Sequence, residues 1–320
     1  MSDAKVATVP DGTGWHSAGC GVIDLWYQDT PRVNAAYLFD TDDGFAIVET
    51  GPASAHAHLM AGIRSLGRDP QQLRHILLTH IHLDHAGGAG TLARMLPSVH
   101  VYVHHIGAPH LIDPSNLLRS ATRIYGDAME RLWGTTEPVP EQRVSRLNDG
   151  AVLTLGGRTF DVVYTPGHAS HHVAYRDRAT GAVVAGDVAG VRIPPSRLAW
   201  PPTPPPDIDV GAWHASIARL RAVAPAALLI SHFGVVEREQ VFDHLGSVDR
   251  HLDAWVAFVE QQLAAGRERD AIVAGLTELA RAELLQENCD DIGGSIAMAT
   301  PYGMSVDGIM RYLRKRGERR

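Results

Sequence analysis

The feature that most constrains this chain is a short apolar run that leads without a break into a segment with three histidines and an aspartate. Residues 75–79 read His-Ile-Leu-Leu-Thr, which is typical of a strand buried on both faces. His80, His82, Asp84 and His85 follow directly. Because residues i and i+2 of an extended chain point the same way, His80 and His82 can converge on one ion. Imidazole and carboxylate without thiolate form a ligand mixture for zinc, iron or manganese.

The rest of the chain alternates strand-like and helix-like stretches, which predicts an α/β protein. We predict strands at 35–39, 45–48, 75–79, 99–103, 151–155, 159–164, 172–175, 182–185 and 228–231. We predict helices at 55–66, 87–95 and 212–223, the last with Asp207 or Asp209 as N-cap. Residues 105–141 have helical spacing and read as an inserted segment, and 194–206 are rich in proline. After His232 nearly everything through residue 316 is predicted to be helical.

Composition narrows the class of protein. A chain of 320 residues with 45% apolar and 20% charged residues buries a sizeable core without disulfides. The net charge of −7 argues against a nucleic-acid partner. The two cysteines, Cys20 and Cys289, form no disulfide framework, and residues 1–14 lack the apolar stretch of a signal peptide. The cysteine usage predicts a cytoplasmic protein, and because no stretch of about 18 apolar residues occurs we expect no membrane partner.

Four further motifs accompany the histidine-rich run. The segment 77–88, Leu-Leu-Thr-His-Ile-His-Leu-Asp-His-Ala-Gly-Gly, resembles the signature of metallo-β-lactamase-fold hydrolases. The motifs at 165–168 (Thr-Pro-Gly-His), 185–187 (Ala-Gly-Asp) and 231–234 (Ser-His-Phe-Gly) resemble the three later ligand motifs of that family. Residues 48–51, Val-Glu-Thr-Gly, match its acidic-Thr-Gly turn, with glutamate in place of the usual aspartate. The resemblance covers about residues 20–235.

The resemblance implies a four-layer αββα sandwich with a helical insert and a helical C-terminal segment. It implies a catalytic domain over 1–235 and a C-terminal helical segment over 236–320 that packs on it. It also implies two divalent metal ions, with zinc as first choice and iron or manganese as alternatives. In the implied ligand set His80, His82 and His168 hold the first ion, Asp84, His85 and His232 hold the second, and Asp187 bridges the two.

The chemistry implied by this set is hydrolysis. Two cations close together need an anionic bridge, and water shared between them becomes hydroxide near neutral pH. This metal-bound hydroxide would attack a carbonyl carbon, and Asp84 is the candidate catalytic residue that carries a proton to the leaving group. The expected substrate is a small thioester, ester or lactone, and a homodimer is possible.

Departures from known branches of the family narrow the function. The ligand set and the helical C-terminal region resemble those of the glyoxalase II branch, but its glutathione-binding Asn-Pro-Phe-Leu-Arg-like segment is absent. The lactonase tyrosine three residues after the bridging aspartate is replaced by Gly190. Alternatives are a persulfide dioxygenase-like oxidoreductase with one iron, a cytosolic β-lactamase-like amide hydrolase, and a non-catalytic binding module. The insert 105–141 and the loop 194–206 are expected to wall the pocket and set the substrate.

The remaining polar candidates receive lesser roles. Glu49 and Thr79 are interpreted as partners that orient ligand histidines or as strand-end turn residues. Arg192 is interpreted as a solvated side chain, with contact to a substrate anion as the alternative. Nine other histidines fall into three groups: structural or orienting roles for His171 and His172, surface or pocket-wall positions for His104, His105 and His110, and no role for His56, His58, His244 and His251.

Overall fold

The computed structural model describes residues 12–318. Most of the stretch 1–14, on which the expectation of no signal peptide rests, lies outside the described residues. None of the helices within 12–318 is long and apolar enough to cross a membrane.

Seven strands form the first sheet, and they follow one another across it in chain order. They are β1 (Gly14–His16), β2 (Cys20–Asp24), β3 (Ala35–Thr41), β4 (Gly44–Val48), β5 (Leu73–Leu77), β6 (His100–His104) and β7 (Val144–Leu147). Strands β1 to β4 are antiparallel, and β4 to β7 are parallel. Each parallel pair needs a crossover: α1 (His56–Ser65) lies between β4 and β5, α2 (Leu83–Ala86) and α3 (Ala89–Met95) lie between β5 and β6, and the insert lies between β6 and β7.

Six strands form the second sheet, in the order β13-β12-β11-β10-β9-β8. They are β8 (Val152–Leu155), β9 (Arg158–Tyr164), β10 (Val173–Asp177), β11 (Val183–Val184), β12 (Ala227–Ile230) and β13 (Gly234–Glu237). Only β11 and β12 run parallel, and helix α7 (Val210–Val223) connects them. Asp209 caps α7 by accepting a hydrogen bond from the Ala212 N–H, as one of the two predicted caps should.

The other helices belong to the insert and the C-terminal region. The insert contains α4 (Ala108–Ile112), α5 (Ser115–Tyr125) and α6 (Met129–Trp133). The C-terminal region contains α8 (Arg238–Ala264), α9 (Arg269–Gln286), α10 (Gly293–Ala299) and α11 (Tyr302–Glu318). Buried side chains of α8 to α11 share one hydrophobic core with the second sheet. The predicted division of the chain near residue 235 stays a prediction.

Alternation along the first sheet separates two cores. Tyr37 and Phe39 point toward the second sheet, where Phe39 meets Phe160 edge to face at 5.3 Å. Leu38 and Ile47 point the other way and pack with helices α1 and α3. This period of two is what a strand covered on both faces requires. The layers are therefore helices, sheet, sheet and helices, as predicted, with the insert and the C-terminal helices added.

Two buried tyrosines join the sheets close to the ends of the strands. The Tyr37 hydroxyl lies 2.6 Å from the Ile230 carbonyl oxygen and 2.9 Å from that of Gly234. The Tyr175 hydroxyl donates to the Leu78 carbonyl oxygen at 2.8 Å. Since these carbonyls flank His232 and precede His80, the two bonds fix one sheet relative to the other beside the predicted ligands.

Several predicted elements need correction. Strand β5 ends at Leu77, not at residue 79, because its partner β4 ends at Val48. Beyond that point the Leu78 N–H donates to β6 and the Thr79 carbonyl accepts from Val173 of the other sheet. The predicted helix at 87–95 is α3, which begins at Ala89, and the short helix α2 that precedes it was not predicted. Residues 234–237, predicted helical, pair with β12 as strand β13, and strands β1, β2 and β7 were not predicted.

Candidate metal centre

All seven predicted ligands come from segments that follow or join strands at one edge of the two sheets. The run from His80 to His85 follows β5, and His168 lies between β9 and β10. Asp187 follows β11, and His232 follows β12. His82 has extended backbone angles and precedes α2, so the chain turns there and directs Asp84 and His85 away from the first two histidines. The structure therefore brings together side chains that lie far apart in sequence.

Three imidazoles form a first group of converging nitrogen atoms. His82 Nδ1 lies 3.1 Å from His80 Nε2 and 3.0 Å from His168 Nε2. Two ligands on one tetrahedral zinc ion, each at about 2.0–2.1 Å, lie about 3.3 Å apart. The three nitrogens therefore have the spacing of ligands to a single ion.

A second group contains Asp84, His85 and His232. Asp84 Oδ2 lies 3.4 Å from His85 Nε2 and 3.5 Å from His232 Nε2. These separations again match ligands that share one ion. The two histidines are buried, whereas the Asp84 side chain keeps 23% of its surface exposed.

Asp187 lies between the two groups, with one oxygen toward each. Its Oδ2 is 3.4 Å from His168 Nε2 and 4.0 Å from His80 Nε2. Its Oδ1 is 3.2 Å from His85 Nε2 and 3.4 Å from His232 Nε2. A carboxylate that faces two sets of ligands in this way can bridge two cations.

The hydrogen bonding of these groups fits cations as their missing partners. Within residues 12–318, three buried atoms of the second group and its bridge lack a hydrogen-bond partner: His85 Nε2, His232 Nε2 and Asp187 Oδ1. Buried polar atoms rarely stay unpaired in folded proteins, and here all three face one point. The donor set is imidazole and carboxylate, which suits zinc, iron or manganese. The residues present therefore fit two divalent cations.

Hydrogen bonds at the opposite ring nitrogens hold the ligand histidines in place. His168 Nδ1 donates to the Pro202 carbonyl oxygen and His232 Nδ1 to that of Val33, both at 2.8 Å. His80 Nδ1 lies 2.9 Å from Thr79 Oγ1, and His85 Nδ1 lies 3.2 Å from Glu49 Oε1. When the far nitrogen carries the proton, Nε2 keeps its lone pair for a metal.

The Glu49 carboxylate contacts one ligand histidine and two residues that lie next to ligands in sequence. Its Oε1 accepts a hydrogen bond from Thr79 Oγ1 and lies 3.3 Å from Ser231 Oγ, in addition to its contact with His85. Glu49 is buried and has a φ of +69°, in the left-handed region. Of the two interpretations made from sequence, the geometry favours the one in which Glu49 and Thr79 orient ligand histidines.

His172 and Gly186 position the bridging aspartate. His172 Nε2 accepts a hydrogen bond from the Asp187 N–H at 3.1 Å, and its Nδ1 lies 2.8 Å from Thr165 Oγ1. Gly186 has a φ of +54°, and a Cβ there would lie 2.5 Å from His172 Nε2 and 2.7 Å from Thr79 Oγ1. Only glycine fits this approach of the backbone, so the Gly-Asp pair is a steric requirement.

The electrostatics of the site are those of a cation-binding centre. Burial and the neighbouring His168 lower the pKa of His82 to about 4, and burial also lowers that of His168. Burial alone would raise the pKa of Asp187, but His85 and the other imidazoles outweigh it and hold that pKa well below its usual range. The first group thus presents neutral imidazoles and the bridge a carboxylate, which are the protonation states a metal requires. In the second group burial lowers the pKa of His85 and His232, but Asp187 and Asp84 outweigh it and raise both pKa values, so a cation bound there would displace protons.

A cavity of about 530 Å³ opens beside the two groups. His82, Asp84, His168 and Asp187 line its inner end. Its walls come mainly from four parts of the chain: the insert, the proline-rich loop through residues 202–206, the C-terminal residues 298–301 and 304–305, and the loop after β2. The sequence predicted that the first two of these parts, the insert and the proline-rich loop, would form walls of the pocket.

Other singled-out residues fall outside the ligand groups. His171 is buried and lines the cavity, as does His110, whereas His105 is exposed. His104 was expected at the surface or in the pocket wall, but it is buried and stacks on Tyr164 at 4.6 Å. Arg192 neither lines the cavity nor is free in solvent, because it donates to Gln240 Oε1 and the Ser196 carbonyl oxygen.

Sequence reasoning missed the cavity residues supplied by the C-terminal region and by the loop after β2. Asn34 lines the cavity, and its Nδ2 donates to the Asp84 carbonyl oxygen at 3.0 Å. Met298 and Met304 line the cavity although they lie far beyond the last predicted ligand in sequence. No local pattern marks these residues, since their proximity arises from helix packing.

His244 was assigned no role, yet its Nε2 donates to the Ala189 carbonyl oxygen at 2.7 Å and ties α8 to the loop of Asp187.

Comparisons with known proteins agree with this architecture. A family model described as the metallo-beta-lactamase superfamily matches residues 29–232. The metallo-beta-lactamase fold-containing protein ST1585 of Sulfurisphaera tokodaii is 25% identical over 72% of this chain and 83% of its own length. Its crystal structure superposes with a TM-score of 0.57 over 71% of this chain and 85% of that chain. The metallo-beta-lactamase family protein TTHA1429 of Thermus thermophilus superposes with a TM-score of 0.62 at 21% identity, over 89% of each chain.

A hydroxyacylglutathione hydrolase of Legionella pneumophila is 29% identical over 115 residues. That match covers 36% of this chain and only 33% of the hydrolase. The structural matches confirm the fold predicted from the motifs, and the family model confirms the predicted resemblance.

Proposed function

Because the chain belongs to the metallo-β-lactamase superfamily, we propose that it is a metal-dependent hydrolase of a small ester, thioester or lactone. The observation that carries the proposal is the position of Asp187, whose two oxygens face two separate groups of ligands. His80, His82 and His168 would hold one divalent cation, and Asp84, His85 and His232 the other. We propose zinc first, with iron or manganese as alternatives. Cations held there would supply Lewis acidity and would make water acidic near neutral pH.

The chain itself would orient the substrate and move the proton. The Asp84 side chain keeps 23% of its surface exposed, and it lies on the cavity wall. Its carboxylate can take a proton from water and give it to the leaving oxygen or sulfur. Asn34 holds the Asp84 backbone through the 3.0 Å hydrogen bond, so this carboxylate stays directed into the cavity. The enclosing walls hold an acyl group next to Asp84 and limit the access of bulk water.

The relatives support ester or thioester chemistry over other reactions of the superfamily. The Legionella relative is a hydroxyacylglutathione hydrolase, and the acyl group of such a conjugate is joined to the glutathione sulfur as a thioester. A carbonyl carbon bound to oxygen or sulfur is the electrophile common to thioesters, esters and lactones.

The first test is removal of the bridge. Asp187→Ala should lose about one metal per chain and lower kcat/KM for 4-nitrophenyl acetate by about 100-fold or more, because the Asp187 oxygens lie beside the Nε2 atoms of both groups. Metal content by mass spectrometry and ester hydrolysis measure the two effects. Asp161→Asn, which alters a carboxylate of β9 that pairs with Arg178, is the control and should behave as wild type.

Two results would contradict the proposal. Unchanged turnover in Asp187→Ala would end the bridged two-metal arrangement. One iron per chain, with oxygen consumption on glutathione persulfide and no ester hydrolysis, would replace the hydrolase with an oxidoreductase.

A further inference from the structure

The cavity beside the ligands has an unusual charge pattern for a site that would take a glutathione conjugate. No lysine or arginine within residues 12–318 lines it. Its charged lining residues are Asp84, Asp187 and Asp207, all of them acidic. Asp84 and Asp187 belong to the proposed metal site, and Asp207 Oδ2 accepts a hydrogen bond from Ser170 Oγ at 2.7 Å. An anionic substrate group would therefore lose its hydration in the cavity without gaining an ion pair with a cationic side chain.

One wall of the cavity is an apolar stripe on helix α5. Leu117, Ala121 and Ile124 all line the cavity. Their spacing of four and three residues places them on one face of the helix. Ile124 nevertheless keeps 49% of its surface exposed. An apolar stripe that is partly exposed and faces a cavity is typical of a surface that binds an apolar ligand.

A second apolar wall comes from the C-terminal region. Met298, Ala299 and Met304 line the same cavity. Met298 and Ala299 also pack against the small cluster that contains Trp133 of the insert. Methionine is unbranched and polarizable, so it adapts to flexible chains of different length.

We propose that the acyl group of the substrate is an uncharged, flexible apolar chain that lies between α5 and the methionines of the C-terminal region. This inference rests on the proposed hydrolase function and specifies its substrate class. It separates this chain from its hydroxyacylglutathione hydrolase relative, because glutathione carries two carboxylates. Polar side chains such as Asn116 and Ser120 of α5 also line the walls, but most of the exposed lining surface is apolar, so we expect the length of the acyl chain to be the main determinant of specificity.

The test uses 4-nitrophenyl esters with the purified, metal-containing protein. From acetate through butyrate and hexanoate to octanoate, kcat/KM should rise between about two- and fourfold per methylene, fourfold corresponding to ~0.8 kcal/mol for a fully buried methylene. The ester whose hexanoyl chain ends in a carboxylate (the adipate monoester) should react about 30-fold more slowly than hexanoate. The 6-aminohexanoate ester should also react more slowly. Faster turnover of either charged ester would overturn the proposal.

A charge placed on the stripe should reverse the preference. Ile124→Arg should raise kcat/KM for the adipate monoester relative to hexanoate by about 10-fold, because the guanidinium pairs with the terminal carboxylate. Leu285→Arg is the matched control, since Leu285 is 50% exposed on α9 and does not line the cavity. An unchanged ratio in a folded Ile124→Arg protein, or an equal change in the control, would contradict the position of the acyl chain.

A binding measurement separates this inference from the hydrolase proposal. Octanamide, which lacks the activated leaving group, should bind at least about 10-fold more tightly than acetamide in calorimetry. Hydrolysis of the acetate ester without any effect of chain length would overturn the apolar acyl pocket and leave the hydrolase intact. Absence of all ester hydrolysis, with octanamide still preferred, would overturn the hydrolase and leave the apolar cavity. Equal binding of the two amides would overturn the cavity preference itself.

Discussion

At the scale of single residues, the site depends on close backbone approaches as much as on its ligands. Gly186 lets the chain pass His172 and Thr79 and so places Asp187 between the two ligand groups. The Asp187 N–H donates to His172 Nε2, and this hydrogen bond holds the backbone in the position from which the carboxylate can bridge the two groups. The close approach that Gly186 allows therefore determines where the Asp187 side chain lies.

Gly186→Ala tests this limit. The new Cβ would collide with His172 and Thr79, so we expect loss of metal from the protein and a free energy of unfolding lower by more than the ~1–2 kcal/mol that a left-handed alanine costs by itself. Urea unfolding and metal analysis measure the two effects. Gly266→Ala is the matched control, because Gly266 also has a positive φ, of +71°, but no described atom lies within 4 Å of its Cβ position. If both variants lose equal stability and Gly186→Ala keeps its metal, the steric requirement is wrong.

At the scale of elements, helices α7 and α8 are joined by an ion-paired histidine on α7. His214 Nδ1 lies 2.7 Å from Asp249 Oδ1, and its Nε2 lies 3.0 Å from Asp253 Oδ1. Arg221 of α7 also reaches Asp249 at 3.1 Å. Burial lowers the pKa of His214, but the two carboxylates outweigh it, so the pKa lies above its ordinary value. Protonated His214 therefore stabilises the packing of α7 on α8.

The pH dependence of stability follows from the sign of this shift. Because the folded-state pKa is raised, the stabilisation is fully present below the unfolded value near 6.5 and is lost as the pH rises through the folded-state pKa. The difference in free energy of unfolding between wild type and His214→Gln should thus shrink from about pH 6 to about pH 9. Urea titrations at each pH measure it, with His105→Gln, an exposed histidine of the insert, as the control. A constant or growing difference would contradict the ion-paired arrangement.

The elements also show how far sequence alone could lead. Strands β3 and β4 were predictable because each is a short apolar run bounded by turn residues, and the seven candidate ligands followed from motifs at strand ends. Strand β13 was not, since its four residues, Gly-Val-Val-Glu, become a strand only by pairing with β12. The C-terminal wall of the cavity had no signal at all, because Met298 and Met304 reach it through the packing of whole helices.

At the scale of the whole molecule, the C-terminal helices support the cavity through the proline-rich loop. Glu283 of α9 accepts a hydrogen bond from Trp200 Nε1 at 3.0 Å and lies 3.4 Å from His251 Nε2 of α8. Glu287 of the same region accepts from the Ser196 hydroxyl and from the Arg197 N–H. These contacts lie just before residues 202–206, which form part of the cavity wall. The position of that wall is therefore set by a segment far from the ligands in sequence.

Glu283→Ala should separate support of the wall from chemistry at the ligands. The buried Trp200 N–H and His251 would lose their partly exposed carboxylate acceptor, which should lower the free energy of unfolding by about 1–3 kcal/mol. If the loop then shifts, KM for 4-nitrophenyl octanoate should rise several-fold while kcat for the acetate ester stays within about twofold of wild type. Glu278→Ala, which removes an exposed carboxylate from the same helix, is the control and should change neither quantity. A parallel loss of kcat on both esters, with metal content intact, would show that α9 acts on the ligands themselves, and the separation of wall from chemistry would then be wrong.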